Sequence, residues 1–120
     1  MKILGVGVDI VKNDRIKILT GKKNFIFRTF TKNEINISKK KNTRISFFAK
    51  RFAAKESFSK SLGTGIRDDL NFKDIEILND KLGKPYFQKT KKINNLIYKK
   101  FKVKKYNLYL SISDEKDYSI

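Results

Sequence analysis

A chain of 120 residues fits one domain with a modest core, and 29 Lys and Arg against 12 Asp and Glu leave a net charge of +17, a field that draws nucleic acid, phosphorylated metabolites or an acidic protein. With neither cysteine nor histidine, disulfides, thiolate nucleophiles, serine–histidine triads and most transition-metal sites are excluded, while carboxylate oxygens suited to Mg²⁺ remain. No apolar run approaches the ~18 residues of a membrane span, and the N-terminus has no long apolar signal segment, so a soluble cytoplasmic protein with no membrane partner is expected.

Leu4, Val6 and Val8 alternate with Gly5 and Gly7, which predicts a strand over residues 1–8 whose glycine face is closely approached by other backbone. Asp9 follows, either projecting its carboxylate into a cleft or serving as a turn or helix-capping aspartate. Asn13 and Asp14 open a helical pattern through Ile16 and Leu19 to Gly21, with Arg15, Lys17, Lys22 and Lys23 giving it a basic exposed side. The apolar run from Phe25 to Phe30 leads into Thr31-Lys-Asn-Glu34, a capping box that starts a second helix. Residues 39–42 form a basic connection, and Thr43 is placed to cap the next helix, whose first part adds Phe47 and Phe48 to the core.

That third helix carries Arg51-Phe-Ala-Ala-Lys-Glu-Ser-Phe-Ser-Lys-Ser-Leu-Gly-Thr-Gly-Ile66. Ala53, Ala54, Lys55, Glu56, Lys60 and Leu62 are good helix formers, and Gly63 stands where a left-handed C-terminal residue is expected. At about 100° per residue, Ala49, Phe52, Ala53, Glu56 and Lys60 share one side. A carboxylate among small and apolar neighbours needs a cation. Glu56 therefore meets either Lys60, one turn on, in a pair worth about 0.3–0.5 kcal/mol, or a metal ion.

Beyond the glycines, residues 73–79 read as a strand, 79–83 as a turn, and 85–88 as its partner strand, with the only proline, Pro85, at the start where a missing N–H is tolerated. Ile93, Leu96, Ile97 and Phe101 mark an amphipathic helix. Leu108, Leu110 and Ile112 alternate with Tyr109 and Ser111, the clearest strand pattern in the chain, and residues 114–117 turn it back into a short closing strand at 118–120. Strand, three helices, hairpin, helix and closing strands describe one α+β domain over residues 1–120, with an antiparallel sheet and packed helices. The order does not match a ribonucleoprotein-type sheet, and no aromatic, basic signature for base stacking is present.

Five blocks stand in order: Gly5-Val-Gly-Val-Asp-Ile10, Phe30-Thr-Lys-Asn-Glu-Ile35, Arg51-Phe-Ala-Ala-Lys-Glu56 with Gly63-Thr-Gly-Ile66, Asn79-Asp80 with Gly83-Lys-Pro85, and Leu110-Ser-Ile-Ser113. Together they resemble bacterial holo-acyl-carrier-protein synthase, the small class of 4'-phosphopantetheinyl transferases, over nearly the whole chain. The resemblance implies transfer of 4'-phosphopantetheine from coenzyme A to a serine of apo acyl carrier protein, in fatty acid biosynthesis, with release of adenosine 3',5'-bisphosphate. It also implies a homotrimer with active sites at subunit interfaces. The nucleophile belongs to the partner, which suits a chain without cysteine or histidine. In the family, the aspartate of the first block and the glutamate of the Lys-Glu block bind Mg²⁺; carried over, these are Asp9 and Glu56. Glu56, directly or through a metal-bound water, is the candidate base for the serine proton.

Lys55, Lys60 and Arg51 beside that carboxylate either balance phosphate charge or are ordinary solvated helix cations. Gly63, Thr64 and Gly65 let backbone approach the nucleotide, or Gly63 is only a helix cap. Pro85 lines the ligand cleft or shapes a hairpin. Acyl carrier proteins are acidic, so Arg15, Lys17 and Lys22 on the first helix form the expected docking surface. The chain departs from the pattern twice: Ser111-Ile-Ser-Asp114 stands where many relatives have Ser-x-x-His, and the sequence stops at Ile120 where relatives usually continue the last strand. The competing reading is a small basic nucleic-acid-binding domain, supported by the net charge. Against it stand the scattered lysines and the acidic pair, so no nucleic acid partner is expected. A catalytically silent relative that only binds carrier protein is opposed by retention of both carboxylates.

Overall fold

A computed structural model describes residues 1–67 and 69–120. In chain order it contains β1 (Val11–Lys12), α1 (Asn13–Thr20), α2 (Phe25–Thr29), α3 (Lys32–Ser38), α4 (Arg44–Ser61), a 3₁₀ turn Phe72–Asp74, β2 (Ile77–Asn79), β3 (Pro85–Phe87), α5 (Lys91–Phe101) and β4 (Tyr118–Ser119). The pairing is antiparallel throughout but divided between two ribbons, β1 with β4 and β2 with β3. The expected α+β class holds.

α4 carries two apolar clusters. Phe47, Phe48, Ala49, Phe52 and Ala53 meet Val11, Ile16, Phe25 and Phe30, while Ala54, Phe58 and Leu62 meet Leu70, Ile75, Ile77, Ile93 and Ile97. Phe30 and Phe48, whose ring centroids lie 4.5 Å apart, are fully buried, and each such burial is worth about 1.5–3 kcal/mol. Local chemistry sets the ends of the elements. Thr31 and Glu34 form the reciprocal box at the start of α3, and Gly63 takes φ +74° just after α4, a conformation that costs glycine least. In the β2–β3 turn, Asp80 Oδ1 accepts from the Leu82 and Lys84 N–H groups, each at 2.9 Å.

Several expectations are corrected. Residues 1–8 form no ladder among the described residues; regular pairing starts only at Val11. The close approach expected of the glycines is present, however. A Cβ on Gly5 would lie 1.9 Å from the Ser61 carbonyl oxygen, and one on Gly7 would lie 1.8 Å from that of Ser57. Residues 108–112 likewise lie outside any strand, although Leu108, Leu110 and Ile112 pack against the second cluster and Tyr109 is exposed. Alternation reports which face is buried; a ladder also needs a neighbouring edge, and among the described residues none reaches this one.

The strand expected over 73–79 begins late, because the Asp74 carboxylate accepts the Asn71 N–H at 2.8 Å and closes a turn there. Thr43 occupies the N-cap position of α4 without a side-chain bond. α1 ends at Thr20, so Lys22 lies in the following turn rather than on the helix. Asn13, read as a helix opener, is also the clamp on the C-terminal hairpin. Its backbone N–H donates to Asp117 O at 2.8 Å, its Nδ2 donates to Glu115 O and Lys116 O at 3.0 and 3.1 Å, and its Oδ1 accepts from Ser119 Oγ at 2.7 Å.

Candidate active site

Asp9 lies on the segment pressed against α4, and Glu56 and Lys60 lie one turn apart on that helix. Lys60 Nζ donates to Asp9 Oδ1 at 2.9 Å and to the Val8 carbonyl at 3.2 Å. Glu56 is half-buried. Burial first, and the neighbouring negative charge of Asp9 second, push its carboxyl above the usual value, with Lys60 and Arg15 opposing. Bonding to Asp9 raises the exposed Lys60 ammonium. The structure thus brings together Asp9, Glu56, Lys60 and Arg15, two carboxylates from distant parts of the chain with two cations around them. Lys60 pairs with Asp9, where the sequence pattern left Glu56 as its partner.

Lys55 and Arg51 do not join this group. Lys55 is 0 % exposed and donates to Glu34 Oε1 at 2.7 Å, Phe72 O at 3.0 Å and Ile75 O at 2.7 Å. Burial pulls its pKa down, and Glu34 opposes the shift. Arg51, 3 % exposed, donates to Asn79 Oδ1 at 2.5 Å and stacks 3.7 Å over the Phe47 ring. Burial lowers it to about 10, so it remains a cation at neutral pH. Neither side chain is placed to meet phosphate in this chain; both face the interior side of α4. Removing one member of a buried pair such as Glu34–Lys55 costs about 3–5 kcal/mol, because it strands the other charge.

The glycine loop is open. Gly63 and Gly65 have φ of +74° and +71°; a Cβ on Gly65 would meet nothing within 4 Å, and one on Gly63 only Lys100 Nζ. Thr64 Oγ1 is buried and has no hydrogen-bond partner among the described residues. Pro85 opens β3 opposite Asn79. Asp114 accepts from Ser46 Oγ at 2.6 Å and pairs with Lys50 at 3.3 Å. The Ser46 bond, then Lys50, hold its carboxyl below the usual range against a burial effect that raises it.

Sequence reasoning missed the Glu34–Lys55 pair because the Thr31–Glu34 capping box already accounts for Glu34 and because Lys55 adjoins Glu56. The available signal was spacing: Arg51, Lys55 and Ser59 fall on one stripe flanked by Phe48, Phe52 and Phe58.

The family described as the 4'-phosphopantetheinyl transferase superfamily matches residues 5–120. The chain belongs to that family. The transferase is 57% identical over 120 residues to the holo-[acyl-carrier-protein] synthase of Pelagibacter ubique (strain HTCC1062), covering 100% of this chain and 94% of the relative. Among solved structures, the holo-[acyl-carrier-protein] synthase of Neisseria meningitidis superposes with a TM-score of 0.88 at 36% identity, covering 98% of this chain and 94% of that one. The Bacillus anthracis enzyme in complex with CoA (3',5'-ADP) gives 0.80 at 37%, covering 98% and 90%.

The donor set of the transferase tests whether a divalent cation fits. Asp9 and Glu56 offer only hard carboxylate oxygens and stand close enough for one to raise the pKa of the other. Among the described residues no group of three or more Asp and Glu is arranged to hold a metal ion. Two carboxylates completed by substrate phosphate oxygens and waters are a coordination Mg²⁺ commonly accepts. The residues fit. In the cation-free transferase a raised Glu56 pKa adds stability below the unfolded carboxyl pKa, and that stability is lost as pH rises through the folded value. Glu56→Gln, measured without divalent cation, should therefore melt no lower than wild type at pH 7, with any advantage shrinking on acidification. A lower melting temperature at pH 7 would contradict this reading of Glu56.

Proposed function

We propose that the chain transfers the 4'-phosphopantetheine group of coenzyme A to a serine hydroxyl of apo acyl carrier protein, with Mg²⁺ held by Asp9 and Glu56. The convergence of these two carboxylates beside Lys60 carries the reading. The serine oxygen forms a bond to the phosphorus bearing the pantetheine, the P–O bond to the nucleotide half breaks, and adenosine 3',5'-bisphosphate leaves. When bound, the cation supplies Lewis acidity at the attacked phosphorus and neutralises charge on the leaving oxygen. Glu56 takes the serine proton. Lys60 balances phosphate charge from its place at Asp9, and Arg15 adds a second cation at the rim. The Gly63–Thr64–Gly65 loop, open above both glycines, receives the nucleotide. The test is chromatographic: adenosine 3',5'-bisphosphate should appear in equal amount to carrier protein supplied, and release without carrier protein at the same rate would sink the reading.

The setting that goes with this chemistry is fatty acid biosynthesis in the cytoplasm; no helix among the described residues is long and apolar enough to cross a membrane. A homotrimer completes the proposal. Its support is the edge left by residues 1–10 and 104–113, which exposes Ile3, Val6, Val8, Ile10 and Tyr109 and flanks a largely apolar cavity of about 750 Å³. Exposed, unpaired backbone with apolar side chains is the surface another copy covers. Sedimentation should give a trimer that Val6→Lys dissociates, and a monomer at micromolar concentration would count against it.

A further inference from the structure

Lys55 and Glu56 are consecutive on α4, so about 100° separates them, and whatever holds Lys55 also decides where Glu56 points. All three Lys55 donors are committed, to Glu34 on α3, to Phe72 O in the 3₁₀ turn, and to Ile75 O just before β2. Glu34, 0 % exposed, is equally fixed. Its Oε1 also accepts from the Thr31 N–H at 2.9 Å, and its Oε2 accepts from the Ile77 N–H at 3.0 Å. One turn earlier, Arg51 is tied to Asn79 on β2. The interior side of α4 is therefore latched to three other segments by directional, charged bonds. Asp9 reaches Glu56 on a segment whose glycines touch the α4 backbone at Ser57 and Ser61.

Apolar contacts alone are non-directional and tolerate small rotations or slides of a helix, whereas a buried ammonium shared among fixed acceptors does not. We propose that the buried Glu34–Lys55 pair is a positioning pair for the transfer reaction: by fixing the rotation and height of α4 it aims Glu56 at Asp9. The pair touches no substrate and acts through Glu56. This inference rests on the reading of Asp9 and Glu56 given above.

The test uses Glu34→Gln/Lys55→Met, which removes both charges at nearly constant volume. In the folded double variant, kcat should fall about tenfold or more, as small misplacements of catalytic groups do, with the KM for carrier protein unchanged. Calorimetric affinity for Mn²⁺ in the presence of adenosine 3',5'-bisphosphate should weaken by a similar factor. A folded variant with wild-type kcat and Mn²⁺ affinity overturns the proposal. Should the double variant not fold, Lys55→Arg carries the test: it keeps the charge, but a planar guanidinium cannot reproduce the three-acceptor arrangement, and the same two losses are expected. Wild-type values there, or loss of folding in both variants, would assign the pair to stability alone and overturn its positioning role. A wild-type enzyme that moves no phosphopantetheine overturns the proposed function; an active wild type with unaffected variants overturns only the role of the pair.

Discussion

Asp9→Asn and Glu56→Gln are each expected to lower the rate of phosphopantetheine transfer by about 10²-fold or more, the scale of losing a group that stabilises developing charge. The double variant should cost little more than either single one, because two ligands of one cation act as a unit. Asp9 carries a second burden, since neutralising it also removes the charge that Lys60 pairs with at 2.9 Å. The Asp9 variant should therefore respond to salt differently from the Glu56 variant. Losses that simply multiply, or full activity in Asp9→Asn, would separate the two carboxylates functionally and remove the shared cation. Initial rates at saturating coenzyme A and carrier protein, over a range of Mg²⁺, decide it.

The second large effect concerns the carrier. Arg15→Glu should raise the KM for carrier protein about tenfold or more while leaving the KM for coenzyme A nearly unchanged, because reversal adds repulsion to lost attraction. Added salt should depress carrier use in wild type over a Debye length of ~10 Å at 0.1 M. Arg15 is exposed on α1, its guanidinium 5.9 Å from the Phe52 ring centroid, and it lowers the pKa of Glu56. Its reversal should consequently also shift the pH profile of kcat upward. Lys17, exposed on the same helix, does not act on Glu56 in that way. Lys17→Glu should weaken carrier use without moving the pH profile. If both reversals leave carrier kinetics untouched, α1 is scaffold and the carrier docks elsewhere.

Local patterns were the legible part of this chain. The Thr31–Glu34 box, the left-handed Gly63, the Asp80 turn, the Pro85 strand start and the Ile93–Ile97 stripe are each decided within a few residues, and the structure has all of them. What failed were properties of the whole arrangement. Residues 1–8 and 108–112 carry the alternation of strands, yet pairing depends on an edge that no local pattern supplies. Lys55 and Arg51 look like phosphate ligands because they adjoin Glu56 in sequence, whereas helical geometry turns them inward to Glu34 and Asn79. Lys60 stands one turn from Glu56 in sequence, but its bond goes to Asp9, 51 residues away. The surroundings of Asp114, with Ser46 and Lys50 beside it, are likewise set by distant parts of the chain.

The central claim is tested most directly by intact-mass spectrometry of apo acyl carrier protein incubated with this chain, coenzyme A and Mg²⁺, with Glu56→Gln run in parallel. The account requires the wild type to add the mass of one phosphopantetheine to the carrier, on its serine, and the variant to add almost none. A carrier of unchanged mass after prolonged incubation with folded wild-type protein, or equal modification by Glu56→Gln, would contradict it.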